Sequence, residues 1–229
     1  MKKIAILQSN YLPWIGYFDL ISSVDEFIIY DCMQYTKRDW RNRNQIKTPQ
    51  GKQWITVPIK SKGEFKQSIY EAEILDDQWK EQHWKSISMN YSKAPFFLEI
   101  QDLLEPIYNS NIISLSELNT SLIKLICKYL GIATRISQSN QYKLNGEKSY
   151  RLMDICIQSR ASCYVSGPSA KEYLDLEIFK KHHIQVEWFE YGAYNNYKQL
   201  WGEFEPTVSI IDVLCNCGPN TSKFLKNTI

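Results

Sequence analysis

The sequence predicts an α/β protein, a doubly wound and mostly parallel sheet with helices on both faces. Three observations predict it. Short apolar runs of strand length recur from end to end, at residues 4–7, 27–30, 163–165 and 184–189. Between them lie stretches with apolar residues at helical spacing, the alternation that builds a parallel sheet. No internal repeat or low-complexity linker interrupts the pattern, so 1–229 reads as a single α/β domain with a helical insertion near 76–130.

Residues 4–7 form the first expected strand, followed by the turn Gln8-Ser9-Asn10-Tyr11-Leu12-Pro13. Pro13 has no N–H and a fixed φ, which suits the start of a helix. Trp14, Phe18 and Ile21 then set a helical period over 14–23, and 27–30 is the second strand. The region after Asn44 is hairpin-like: Ile46-Lys47 leads to the turn signal Thr48-Pro49-Gln50-Gly51 and then to a third strand over 53–59. A polar loop over 60–65 and a short strand over 68–75 follow. Asp76 or Asp77 is a fitting N-cap for a helix over 78–91. Ala94-Pro95 breaks that pattern, and helical turns resume over 96–108, ending near Pro106. The clearest helix is 115–131, closed by Gly131. A strand at 134–137, a loop over 140–149 and a helix over 149–159 come next. Residues 163–165 are a strand opening into Ser166-Gly167-Pro168-Ser169-Ala170-Lys171. A helix or turn follows, then a strand at 184–189 and a last apolar helix over 208–214.

The net charge of +2 is too small for nonspecific nucleic-acid binding. It is unevenly spread. Residues 37–66 are basic and 64–105 hold many acids, so the basic part is either a phosphate-binding patch or a solvated face. Aromatics make up 14% of the chain, with 15 Tyr and 7 Trp. Such rings pack cores or line grooves for sugars and bases. The six cysteines follow no signal peptide and no membrane-length apolar run, which points to a cytoplasmic protein with reduced thiols. Cys215-Asn-Cys217 has no second pair or nearby His at zinc spacing, so no metal site is expected.

In a doubly wound sheet, ligands sit beyond the carboxyl ends of the strands. Those ends supply the candidate site. The candidate catalytic groups are Gln8, Tyr11, Asp31 and Lys37. The candidate ligand-binding groups are Asn10, Pro13, Trp14, Gly16, Tyr17, Gln34, Arg38, Trp40, Arg43, Asn44, Ser166, Gly167 and Lys171. Arg38 and Arg43 offer bidentate forks for phosphate, Lys37 a point charge, and Asn44 both donor and acceptor for hydroxyls. Helical spacing would put Trp40, Arg43 and Asn44 on neighbouring faces. The turn from Ser166 to Lys171 follows a strand and precedes a helix, where free N–H groups hold anions. Arg151 and Asp154, spaced i,i+3, read as a helix-surface pair.

The segments QSNYLPWIGYFDLI, YDCMQYTKRDWRNRNQIK, WITVPI, YVSGPSAKEYL and SIIDVLCNCG together resemble the WbqC-like family of bacterial proteins, over the whole chain. That resemblance implies a setting among surface-polysaccharide (O-antigen or capsule) genes, beside amino-sugar enzymes. The order of strand-end motifs is also similar to the nucleotidylyltransferase superfamily, which includes pantothenate synthetase, and implies a Rossmann-like, nucleotide-binding fold. Trp14-Ile15-Gly16-Tyr17 stands where that superfamily has H-x-G-H. Gly16 is kept, and both histidines that steady the triphosphate are absent. Pantothenate synthetase joins an acid to an amine. The implied function is acyl or aminoacyl transfer to the amine of a nucleotide-linked sugar, with ATP or a CoA thioester as the donor-side cofactor and a nucleotide sugar or other small phosphorylated ligand as partner. Two alternatives remain at this point: a binding module that has lost the chemistry, and an RNA-binding protein using the basic and aromatic stretch from Lys37 to Trp54.

Overall fold

The computed structural model describes residues 1–64 and 66–226. Phe65, the end of the expected polar loop, lies outside the described residues. In chain order the elements are β1 (Lys3–Leu7), α1 (Ile15–Ser22), β2 (Glu26–Ile29), β3 (Arg43–Thr48), β4 (Gly51–Thr56), α2 (Gln78–Tyr91), α3 (Phe97–Tyr108), α4 (Leu115–Tyr129), β5 (Arg135–Gln138), α5 (Ser149–Gln158), β6 (Cys163–Ser166), α6 (Leu176–Lys181), β7 (Gln185–Trp188) and α7 (Ile210–Cys217). Five strands form one parallel sheet in the order β5-β2-β1-β6-β7. The chain winds outward from β1 through β2 to β5, then returns to the other side of β1 for β6 and β7. The winding reverses between β1 and β6, and a crevice opens there beyond the carboxyl ends.

The central strands β1, β2 and β6 are buried on both faces, which is why they read as continuous apolar runs, while the edge strands β5 and β7 are partly exposed. Alternate residues serve different layers. Ala5, Phe27, Ile29 and Val165 belong to a core shared with α1, α2, α3, α4 and α7. Ile4, Ile6, Ile28 and Tyr164 pack with Met153, Ile155 and Cys156 of α5 and Ile178 and Phe179 of α6. The helices near 76–130 thus share a continuous core with the sheet.

Several local expectations change. The hairpin expected after Asn44 does form, as β3 paired antiparallel with β4, but it stands apart from the parallel sheet. Its first strand begins at Arg43, so Arg43 and Asn44 alternate across a strand, where helical spacing would have made them neighbours. Residues 68–75 make only single bridges, Gln34 to Ser68, Ile59 to Ile74 and Glu73 to Ser114. Helix α3 runs past Pro106 to Tyr108. Pro106 has no N–H, so the Asp102 carbonyl loses its i→i−4 bond close to the end of the helix. Asp77 occupies the N-cap of α2 without a side-chain cap bond, and Asp76 Oδ1 accepts from Gln78 N at 3.0 Å. Between β7 and α7 the chain is largely irregular. A buried network fastens it: Asp212 accepts from Tyr91, Tyr197 and Gln199, while Lys47 Nζ donates to Gln199 Oε1.

Candidate functional site

The crevice between β1 and β6 holds a pocket of about 470 Å³. Leu7 and Gln8 enter from the end of β1, Tyr30 and Met33 from the end of β2, and Tyr164 from β6. Glu147, Lys148 and Arg151 close it from the start of α5, and Tyr173 stands opposite. Lys148 is held at φ 48°, a conformation that costs a non-glycine residue about 1 kcal/mol or more. Arg151 lies 5.8 Å from the Tyr30 ring centroid and donates to Cys32 Sγ at 3.4 Å. Asp154 meanwhile accepts from Asn145 N at 2.6 Å. The expected Arg151–Asp154 surface pair is therefore replaced by two separate roles. Burial, with the Cys32 sulfur beside it and the Arg151 charge opposing, pushes the Tyr30 hydroxyl up to about 12. Tyr164 is raised further by burial, and accepts from Ser166 Oγ at 3.2 Å. A wider depression of about 810 Å³ lies among Lys60, Glu64, Lys66, Glu71 and Glu73. It is lined mainly by exposed charged side chains.

The rim beyond β1 is built by a polar lattice. Asp31 is 0% exposed. Its carboxylate accepts from Ser9 N (2.7 Å), Ser9 Oγ (2.6 Å) and Ser116 Oγ (2.6 Å). Burial raises its pKa, against the lowering effect of the Ser116 and Ser9 hydrogen bonds. Asp31 is thus a strut tying β1, β2 and α4 together, sealed from any ligand. Asn119 Nδ2 extends the lattice to Ser9 Oγ and to the Arg41 carbonyl. Arg41 donates through Nη1 to Asn10 Oδ1 (2.6 Å) and through Nη2 to Gln8 Oε1 (2.9 Å). Tyr17 is buried and donates to the Gln8 carbonyl at 2.9 Å.

The remaining expected residues disperse. Tyr11 is sealed behind the turn, its hydroxyl 2.5 Å from that of Tyr108 and 2.9 Å from His83 Nδ1. The Pro13 carbonyl accepts from Ile210 N, and Asn44 Nδ2 donates to the carbonyls of Tyr11 and Leu12. Both hold the turn's backbone. Trp14 packs on Tyr191 and Tyr194. Gly16 is needed for that packing, because a Cβ there would lie 2.3 Å from Trp14 Cζ2. The glycine makes room for the Trp14 ring and not for a ligand. Gln34, Lys37 and Arg38 are exposed on the loop after β2, with Arg38 at φ 59°. Trp40 (43% exposed) and Trp54 (39%) lie 5.2 Å apart, and the Arg43 guanidinium stacks 3.9 Å from the Trp54 ring. Ser166 is buried, Gly167 follows it, and residues Pro168–Glu172 form a short 3-10 turn. Lys171 is exposed, 5.6 Å from the Trp188 ring.

The structure therefore brings together Gln8, Asn10, Asp31 and Tyr17 at one strand end, and adds Arg41, Lys148 and Arg151. Arg41 sits inside the basic run that the sequence singled out, and Arg151 inside a recognised helix. Neither spacing revealed which way the side chain turns. Among the described residues no group of three or more His, Cys, Asp or Glu could hold a metal ion, and no helix is long and apolar enough to cross a membrane.

The protein is thus of the α/β class, a parallel five-stranded sheet with a polar and aromatic pocket at its switch point. The chain belongs to the WbqC-like protein family, which it matches over residues 8–224. It is 55% identical over 227 residues to the uncharacterized protein Rv1507c of Mycobacterium tuberculosis, a match covering 99% of this chain and 98% of that relative. No solved structure matches it significantly.

Proposed function

We propose that the chain is an enzyme of surface-polysaccharide biosynthesis that binds a nucleotide-linked amino sugar at the β1–β6 crevice and transfers an acyl or aminoacyl group to the sugar amine. The observation that carries the reading is the pocket itself, whose lining combines Arg151 and Lys148 with Tyr30, Tyr164 and Tyr173, Arg151 lying 5.8 Å from the Tyr30 ring centroid. Guanidinium and ammonium groups suit the diphosphate, and tyrosine faces suit a base or a pyranose. Glu147 is the carboxylate on this rim. It would take the proton that the amine must lose. The amine lone pair then attacks the acyl carbonyl, a C–N bond forms, and the bond to the donor's thiolate or phosphate breaks with its electron pair leaving on the donor. The setting comes from the family resemblance.

A binding role without turnover is the second reading, favoured by the sealing of Asp31, the acid expected at the strand end. Thermal-shift and calorimetric titration with UDP-sugars and dTDP-amino sugars test the site. A ligand at a hundred times its Kd adds about 2.7 kcal/mol of stability, or roughly 5–10 °C for a chain of this length. Arg151→Ala should remove the shift while the ligand-free Tm stays within a few degrees. Wild-type protein that ignores every nucleotide sugar would sink the proposal. Amide product with an ATP or thioester donor separates enzyme from binding module.

A further inference from the structure

We infer that the crevice reads an acceptor oxygen of its ligand, a phosphate oxygen of a nucleoside diphosphate, through the side-chain NH2 of Gln8, and that Arg41 fixes this polarity from behind. The inference rests on the reading that the β1–β6 crevice is the ligand site.

An amide side chain presents an acceptor from one end and donors from the other, and rotation by half a turn exchanges them. Arginine has five donors and no acceptor. Whichever amide atom faces the Arg41 guanidinium must therefore be oxygen. Arg41 Nη2 meets Gln8 Oε1 at 2.9 Å and Nη1 meets Asn10 Oδ1 at 2.6 Å. Both amide oxygens are committed to the guanidinium, and the NH2 of Gln8 must turn away from it. Gln8 borders the pocket, and among the described residues no protein acceptor meets its Nε2. Nor is that atom among the buried unpartnered groups, so it is accessible, and Gln8 carries it at the border of the pocket.

The clamp is held from several sides. Tyr17 fixes the Gln8 carbonyl, Asn119 fixes the Arg41 carbonyl, and the backbone of Tyr11 donates to the Trp40 carbonyl at 3.0 Å. The Arg41 side chain is only 16% exposed, and Asp39 stands 3.9 Å from it. Arg41 is thus a positioning residue. Facing the same space, Arg151 and Lys148 are donors as well. Three donor groups complement an oxyanion on their side of the opening, and the Glu147 carboxylate is the place on the rim for an amine. The diphosphate therefore lies toward Gln8, and the sugar amine lies away from it.

The test is Gln8→Glu, assayed with UDP and dTDP as probes and Arg151→Ala as the control. Glutamate keeps the shape and gives Arg41 an ion pair, so the Tm should equal or exceed that of wild type. It replaces the only donor at that position by an acceptor, so affinity for both nucleotides should fall at least tenfold. Arg41→Ala frees the amide to rotate and should weaken binding several-fold. If Arg151→Ala loses binding while Gln8→Glu binds as wild type, the inference is overturned and the site stands. If wild type binds neither nucleotide, or Arg151→Ala binds normally, the site reading fails and takes the inference with it. A fall in Tm for Gln8→Glu would also overturn it, because the Arg41 clamp should accept the carboxylate.

Discussion

Lowering the pH should weaken this fold through one histidine. His83 is buried against Tyr11 and Trp79, with Nδ1 2.9 Å from the Tyr11 hydroxyl. Burial lowers its pKa from 6.5 to about 4, with a hydrogen bond to the Thr56 carbonyl opposing. The folded chain keeps the ring neutral where the unfolded chain takes up a proton. Stability from this group is complete above 6.5 and is lost as the pH falls toward 4. The full loss is about 3 kcal/mol, and about 2 kcal/mol is gone by pH 5. For a chain of this length that lowers the Tm by roughly 4–8 °C. Asp31 and Asp212 have raised pKa values, through burial, and pull the other way as the pH falls. The decisive readout is therefore a difference. Denaturant unfolding of wild type and His83→Gln is measured at pH 8 and pH 5. The variant is weaker at pH 8 and should lose about 2 kcal/mol less than wild type between the two. Parallel losses in the two proteins would refute the reasoning, because they would show that His83 does not titrate between the folded and unfolded states.

Two substitutions test the supports of the site. Asp31→Ala strands the Ser9 amide and two hydroxyls and should cost about 3 kcal/mol or more, while Asp31→Asn keeps an acceptor for Ser9 N and should cost about 1 kcal/mol. Equal losses in urea unfolding would argue against the strut, and loss of nucleotide binding in a well-folded Asp31→Asn protein would place Asp31 at the ligand. Gly16→Ala drives a methyl into the Trp14 ring, which Tyr191 and Tyr194 hold in place. It should cost about 1–3 kcal/mol, and an unchanged Tm would show that the ring gives way freely.

The sheet was legible because its central strands, β1, β2 and β6, are buried on both faces. Runs such as residues 4–7 and 27–30 have no other stable use between helical stretches. The hairpin was half legible. Its turn at 48–51 follows from Pro49 and Gly51, but Arg43 and Asn44 look helical because their alternation serves one buried face only through Asn44, Ile46 and Thr48. Residues 68–75 look strand-like from Ile69 and Ile74, yet no neighbouring strand offers them a ladder. They settle for isolated bridges.

The site was legible as a place and less so as a set of contacts. Strand ends are fixed by topology, so Gln8, Asn10 and Asp31 could be located without coordinates. Charge gives no such guide to direction. Lys37, Arg38, Arg41 and Arg43 lie within seven residues of one another and have four fates. Lys37 and Arg38 stand in solvent, Arg43 stacks on Trp54, and Arg41 grips the amides of Gln8 and Asn10. What separates them is the partner each can reach, and those partners come from distant segments. Arg41 is aimed by Asn119 of α4, and Arg151 finds Tyr30 and Cys32 at the end of β2. The arginine that sets the polarity of the crevice is therefore chosen by long-range packing. A motif of residue types can mark the basic run, but only the closed lattice of Asp31, Ser9, Asn119 and Arg41 decides which member of it turns inward.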